Sequence, residues 1–380
     1  MFLTWANAGG ITGSGYLGSN PLGGIVTAFS TPTFNPTTHK GIFGGGGHVD
    51  SSCNAFVEFD LYALTYRQVA PATDPAKYPP SYRADLVFGN TYPSGAIFEF
   101  FHDGLTDSRD IQYNVTNQAP KAVHHFSSLC TRGNEMLKPG YTGVGWLNTV
   151  TGLWRDIQIN PLGPALQTIG FAVGAGDLRS NIIERDTACE YDSVTDRVLM
   201  TVGPGDLAAN SRGGLAFLNP LTMAFDNYIA CGNVNYFTRT ALVGRYLYVF
   251  NAAGPSNAHT TILQRINIDT KVLEYCSLAG DIYTWAEGAF DGGGCTPDPV
   301  TGNIYRWIYN TDRDALYALS TTPVSGLGTV GSPYVMQQTR IPLTASTMSA
   351  PTWCAERLHV AWGTVFIHHS DTGGWWACKL

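Results

Sequence analysis

Few residues in this chain are placed to do chemistry, and they are scattered. Gly44-Gly45-Gly46-Gly47-His48 followed by Asp50 sets a permissive backbone beside an imidazole and a carboxylate, a pair able to bind a sugar hydroxyl or one side of a metal ion. A phosphate-cradling loop needs Lys-Ser/Thr after its glycines and a helix behind them. Neither follows here, so the glycines read as a turn requiring positive φ. A metal centre needs further converging ligands; His48 and Asp50 have none in sequence and are expected as binding residues, not as metal ligands. The pairs His124-His125 and His368-His369 fall in strand-like runs. Neighbouring strand side chains face opposite sides, so neither pair can chelate one ion. The loop acids Asp103, Asp107, Asp206 and Asp291 are candidates for acid–base work on a glycan, which needs two carboxylates about 5 to 10 Å apart. Their spacing does not separate them from surface charge. No catalytic residue and no cofactor is therefore expected.

The totals bound what can position such residues. The chain has 380 residues, 44% apolar and only 13% charged, against about 25% charged in an average domain. With 43 Gly, 21 Pro, 19 Tyr, 18 Phe and 9 Trp, it reads as strands punctuated by turns. A net charge of −7 argues against a nucleic-acid partner, which would want a basic face. No run approaches the roughly 18 apolar residues of a membrane-spanning helix. MFLTWANAGG lacks the basic region and apolar core of a secretory signal, so no signal peptide is expected. Eight cysteines stand apart, without zinc-motif spacing, and are expected as buried free thiols.

Two turn types recur along the chain. The first is Asn35-Pro36-Thr37-Thr38-His39-Lys40, returning at Asp192–Arg197 and Asp298–Asn303: an Asx residue, a turn former, then Thr and a long polar residue. The second opens at Asp60, Asn148, Asn219 and Asn267, with further openers expected at Ser320 and Ser370. Six positions after an opener stands a large apolar residue: Tyr66, Trp154, Phe225, Leu273 and Trp376. Asn and Asp favour such turns because their side chains bond the following backbone. The later second-turn openers repeat at about 50 residues, which sets units at about 32–70, 119–157, 186–228, 236–275, 287–341 and 348–380. Tight turns are expected at Leu242–Arg245 and at Glu356-Arg357. The stretches 71–118 and 158–185 are expected as elaborated connections, the former containing a hairpin of its own, with strand candidates at Ala84–Phe88, Ala96–Phe101 and Asp110–Val115. The best place for a short helix is 203–224.

Two hairpins per unit make four strands that cannot bury both faces alone. Units of this length are the signature of propeller blades. The reading is an all-β chain forming one propeller domain over 1–380, with six four-stranded blades or, if 71–118 is a blade, seven. The apolar residue six after each opener is expected between blades, and Phe2–Ala6 is expected to meet Trp375–Leu380 and close the ring.

FGGGGHVD followed by FDLYALTY, together with LNTVTGLW and LNPLTMAF, resembles the kelch-type β-propeller unit. That unit has paired glycines, here Gly44 and Gly45, ending its second strand and a DxxTxxW-like turn between its third and fourth. The paired glycines are reduced in later units. The opening unit is also similar to kelch-like propellers found among tailed-phage structural proteins. This resemblance implies a non-enzymatic virion component, a tail, fibre or capsid-surface part assembled in the host cytoplasm. Its implied partners are other virion proteins or a host cell-surface glycan or protein, with no nucleic acid and no membrane insertion. The alternative is a glycan hydrolase on the same scaffold.

Overall fold

The computed structural model describes residues 2–3, 11–12, 32–44, 56–70, 98–101, 111–114, 129–139, 144–158, 188–202, 213–231, 238–251, 262–281, 294–308, 312–343, 357–369 and 374–380. Two short strands come first, β1 (Phe2–Leu3) and β2 (Ile11–Thr12). The first unit is β3 (Thr33–Asn35), β4 (Lys40–Gly44), β5 (Phe56–Asp60) and β6 (Thr65–Ala70). A separate hairpin, β7 (Phe98–Phe101) and β8 (Ile111–Asn114), follows. The second unit is β9 (Cys130–Arg132), β10 (Glu135–Pro139), β11 (Val144–Asn148) and β12 (Trp154–Gln158). The third is β13 (Cys189–Asp192), β14 (Arg197–Val202), β15 (Gly214–Leu218) and β16 (Phe225–Ala230). The fourth is β17 (Arg239–Val243), β18 (Tyr246–Asn251), β19 (Ile262–Asn267) and β20 (Val272–Gly280). The fifth is β21 (Cys295–Pro297), β22 (Ile304–Ile308), β23 (Arg313–Ser325) and β24 (Tyr334–Pro342). The sixth has three strands of its own, β25 (Arg357–Ala361), β26 (Thr364–His369) and β27 (Gly374–Lys379).

The arrangement is all-β and propeller-like, built from four-stranded antiparallel sheets. β1 supplies the sixth unit's missing strand, pairing Phe2 with Trp376 and Leu3 with Trp375, so the chain ends meet in one sheet. Two further pairings are parallel. β2 lies along β6 at the edge of the first sheet. β24 lies along β20, joining the fourth and fifth units into one eight-stranded sheet.

Each unit buries one face against the unit before it and the other against the unit after it. Ile42, Phe56 and Val69 of the first pack with Leu129, Met136 and Trp154 of the second. Leu137 and Trp146 of the second meet Val198, Met200 and Phe225 of the third. Leu199 and Phe217 then meet Leu247 and Ile266, Tyr248 and Phe250 meet Cys295 and Ile304, and Trp307 and Leu316 meet Val360 and Ile367. The first strands contact one another in succession from β3 through β9, β13, β17 and β21 to β25. Phe34 of β3 stacks on His359 of β25 at 4.4 Å, which brings the series back to its start. Alternation makes this possible: a strand with apolar residues on both sides, such as the fully buried β15, can serve two neighbours at once.

Several local expectations are corrected. Ser320 opens no turn; it lies inside β23, and the fifth unit's last turn falls at 326–333 instead. The sixth unit's tight turn is Trp362-Gly363, not Glu356-Arg357, because Arg357 already begins β25. Within 203–224 the described residues form β15 and its turn, not a helix. Among the described residues Cys130, Cys189, Cys231, Cys276 and Cys295 are buried and Cys378 is half-buried, none of them in a disulfide. Burial pushes the Cys231 thiol up to about 12. Cys53 and Cys354 lie outside the described residues.

Candidate functional site

The recurring turns are built from one set of bonds. The Oδ1 atoms of Asp60, Asn148, Asn219 and Asn267 each accept the backbone N–H groups two and three residues on. Asn35 does the same. Asp192 and Asp298 take one N–H and the Thr hydroxyl three residues on. Four residues past each opener the backbone turns left-handed, at His39, Leu64, Gly152, Asp196, Met223, Lys271 and Gly302, with φ between 51° and 73°. The residue two past the opener is then pushed outward. Tyr62 and Val300 are 85% and 90% exposed, and Val150, Val194 and Leu221 at the same position are also exposed.

In a four-stranded antiparallel sheet the first and last hairpin turns share one end. Cross-links between units place these ends together. Asn35 Nδ2 donates to Gly133 O (2.7 Å) and Arg67 to Thr149 O (2.9 Å), linking the first turns to the second. Arg132 donates to both oxygens of Asp196 at 2.6 and 2.8 Å. Arg245 donates to both oxygens of Asp192 and of Asp269. Tyr62 of the first unit and Trp362 of the sixth stand edge to face at 6.2 Å. One face therefore carries a ring of projecting apolar side chains over a belt of ion pairs. Between Tyr62 and Trp362 it opens into a groove of about 420 Å³, floored by Phe59, Phe366 and Trp376.

The belt's electrostatics follow from these partners. The bond from Arg132 holds the Asp196 carboxyl below the usual range, against opposing burial. The bond from Arg155 lowers Glu135 likewise. Burial opposes ionisation of Asp192, but bonds from Arg245, Thr195 and Val194 outweigh it and keep its carboxyl low. The arginines are held firmly charged in return. Such carboxylates anchor structure; none is poised to give up a proton near neutrality.

On the ring's axis the first strands surround a cavity of about 240 Å³. Cys130, Cys189 and Cys295 line it with Thr131, Glu190 and His359. Glu190 accepts from Thr240 at 3.2 Å. Among the described residues no three His, Cys, Asp or Glu side chains converge as metal ligands.

Of the residues singled out in the sequence, Gly45, His48 and Asp50 lie outside the described residues, as do Asp103, Asp107, Asp206, Asp291, His124 and His125. Gly44 ends β4 at φ 141°, a backbone few side chains adopt. His368 is buried in the sixth unit beside Trp375 at 5.0 Å. Tyr66, Trp154, Phe225, Leu273 and Trp376 are brought to five different junctions between units. Sequence reasoning missed the bridging arginines. A partial signal existed in the long polar residue closing the first turn type, since Lys40 bonds Glu58 at 2.9 Å and Arg197 bonds Asp226.

No protein-family model matches this sequence, and no curated protein matches it. Among solved structures it is similar to Kuenenia stuttgartiensis hydrazine synthase, at 10% identity and a TM-score of 0.48, covering 96% of this chain and 99% of that one. It is also similar to the Myceliophteria thermophila Cps50 (Swd1) beta-propeller domain, at 11% identity and a TM-score of 0.42, covering 93% and 98%. Neither similarity bears on what the chain does; the propeller-like arrangement is read from its own strand pairings and junctions.

Proposed function

We propose that this chain is a non-enzymatic structural and adhesion module, a kelch-like propeller of six blades forming one domain. In this reading it serves in a virion as a tail, fibre or capsid-surface component, binding other virion proteins or a host receptor. Support for six blades comes from the six successive four-strand sets, while β7 and β8 pair only with each other. The virion assignment is supported by the likeness of the opening FGGGGHVD unit to phage propellers.

The observation that carries the docking role is the turn face. Tyr62, Val150, Val194, Leu221, Val300 and Trp362 project from rigid, hydrogen-bonded turns. Exposed apolar side chains gathered on one face mark interaction sites more often than singly scattered ones. The charges beneath them are largely spent on one another, so attachment there would depend on shape and apolar contact.

The test is co-sedimentation of the purified protein with candidate particles or host cells. Replacing Tyr62 and Val300 together by Asp should weaken association about tenfold or more, equivalent to about 1.4 kcal/mol. Because both side chains are exposed, the unfolding free energy should stay within about 0.5 kcal/mol of the parent. Hydrolysis of a host glycan, abolished by a single Asp→Asn change in a loop, would replace this reading with the enzymatic one.

A further inference from the structure

His39 and His359 are 320 positions apart in sequence, yet their rings meet across the junction between the first and sixth units, Nδ1 to Nε2 at 3.0 Å. Both rings are held in place. His39 occupies the left-handed position of its turn at φ 54°, its N–H on Asn35 O at 2.9 Å, and its ring sits against Trp362 at 4.8 Å. His359 is buried in β25 and stacked nearly flat on Phe34, with 7° between the ring planes.

A nitrogen-to-nitrogen bond of this kind needs one N–H and one lone pair. Two neutral rings supply that, and so does one charged ring with one neutral ring. Two charged rings do not: N–H then faces N–H, and two positive charges meet at 3.0 Å. The unfolded chain takes both protons as pH falls through the ordinary histidine range, about 6.5. The 3.0 Å contact has room for one N–H between the two nitrogens. Acid therefore favours the open form.

Among the described residues, the charged groups near the pair have partners of their own. Lys40 turns to Glu58 at 2.9 Å and Asp60 at 3.6 Å. Across the cavity, Glu190 accepts from Thr240 and the Tyr191 hydroxyl donates to Asp196. His368, on the strand next to β25, packs on Trp375. The junctions from the second unit to the third and from the third to the fourth rely instead on Arg132–Asp196 and Arg245–Asp192, whose charges persist through mild acid.

We propose that His39 and His359 form a proton-controlled clasp on the junction that closes the ring, shut with at most one proton on the pair and released when both rings are charged. Hydrogen exchange of the full chain, read by mass spectrometry and corrected for intrinsic rate, tests this at pH 7.5 and 5.5. Protection of β3 and β25–β27 should fall at least tenfold at the lower pH relative to β13–β18. His359→Gln and His39→Gln, which leave one hydrogen-bonding partner that cannot charge, should each abolish that selective loss. An equal loss at all junctions would overturn the proposal. So would a selective loss persisting in both variants, which would assign the effect to His368.

Discussion

Two junctions of the ring are built on different physics. Between the third and fourth units, Leu199, Leu215 and Phe217 meet Leu247, Val249 and Ile266, and Arg245 locks the turns above them to Asp192 and Asp269. Between the sixth and first units the contact is aromatic. Trp375 stacks on Phe59 at 4.8 Å, donates its indole N–H to the Tyr66 hydroxyl at 2.8 Å, and meets Phe34 edge-on. The difference follows from the chain's ends. The sixth unit borrows its last strand from β1, and that ladder spans only two residue pairs. Where few backbone bonds close the ring, wide rings supply the contact area and fix the geometry by stacking. Burial raises the Tyr66 hydroxyl well above its ordinary value, partly offset by the Trp375 bond, so it remains a neutral acceptor in this packing.

The contrast can be broken at its aromatic side first. Trp375→Ala should cost about 3–5 kcal/mol of unfolding free energy, because the indole is almost fully buried and the surrounding rings cannot collapse into its space. Equilibrium denaturation in urea reads this directly. A loss under 1 kcal/mol would mean that the aromatic junction does not hold the ring.

At the ion-paired junction Arg245→Met should cost less, about 2–3 kcal/mol at neutral pH, chiefly by leaving buried Asp192 without its charged donor. Here the pH dependence has a definite sign. Asp192 and Asp269 both titrate below their ordinary range in the folded chain. Their contribution is therefore complete above the unfolded carboxylate value, about 3.9, and fades as pH falls through the lower folded values. The gap between wild type and variant should begin to narrow below about pH 4 and close as pH falls through the lower folded values. A gap that stays constant with pH would show that lost packing, not lost charge, explains the variant.

Smallest is the turn itself. Asn219→Ala removes an acceptor for two backbone N–H groups and should cost about 1 kcal/mol, as for a lost helix cap. Its neighbour Met223, left-handed at φ 56°, should show faster hydrogen exchange in the same variant.

What could be read from the sequence was what is local. Asn35, Asp60, Asn148, Asn219 and Asn267 announce their turns because each bonds the backbone within three residues. Ser320 failed for the opposite reason. Its strand continues because β24 pairs with both β23 and β20, and those distant partners decide where the chain turns. The glycines at the true turn, Gly326 and Gly328, sit at φ 95° and 76° and were the better signal. The bridges Arg132–Asp196 and His39–His359 span 64 and 320 positions. No short-range pattern encodes such partners, so the belt and the clasp emerge only once the ring is assembled. His48 and Asp50 lie outside the described residues, and their role as binding residues stays a proposal.

The parallel strands at the rim bear on how this protein behaves in a crowded solution. An outermost strand normally shows a row of unused backbone donors and acceptors, which invites another chain to add itself. β2 occupies that row along part of β6, and β24 occupies it along part of β20. The first, fourth and fifth units are thus partly shielded from stray strand addition. Among the described residues, self-association through the backbone would begin at β1, β12 or β16, outer strands with no further strand beside them.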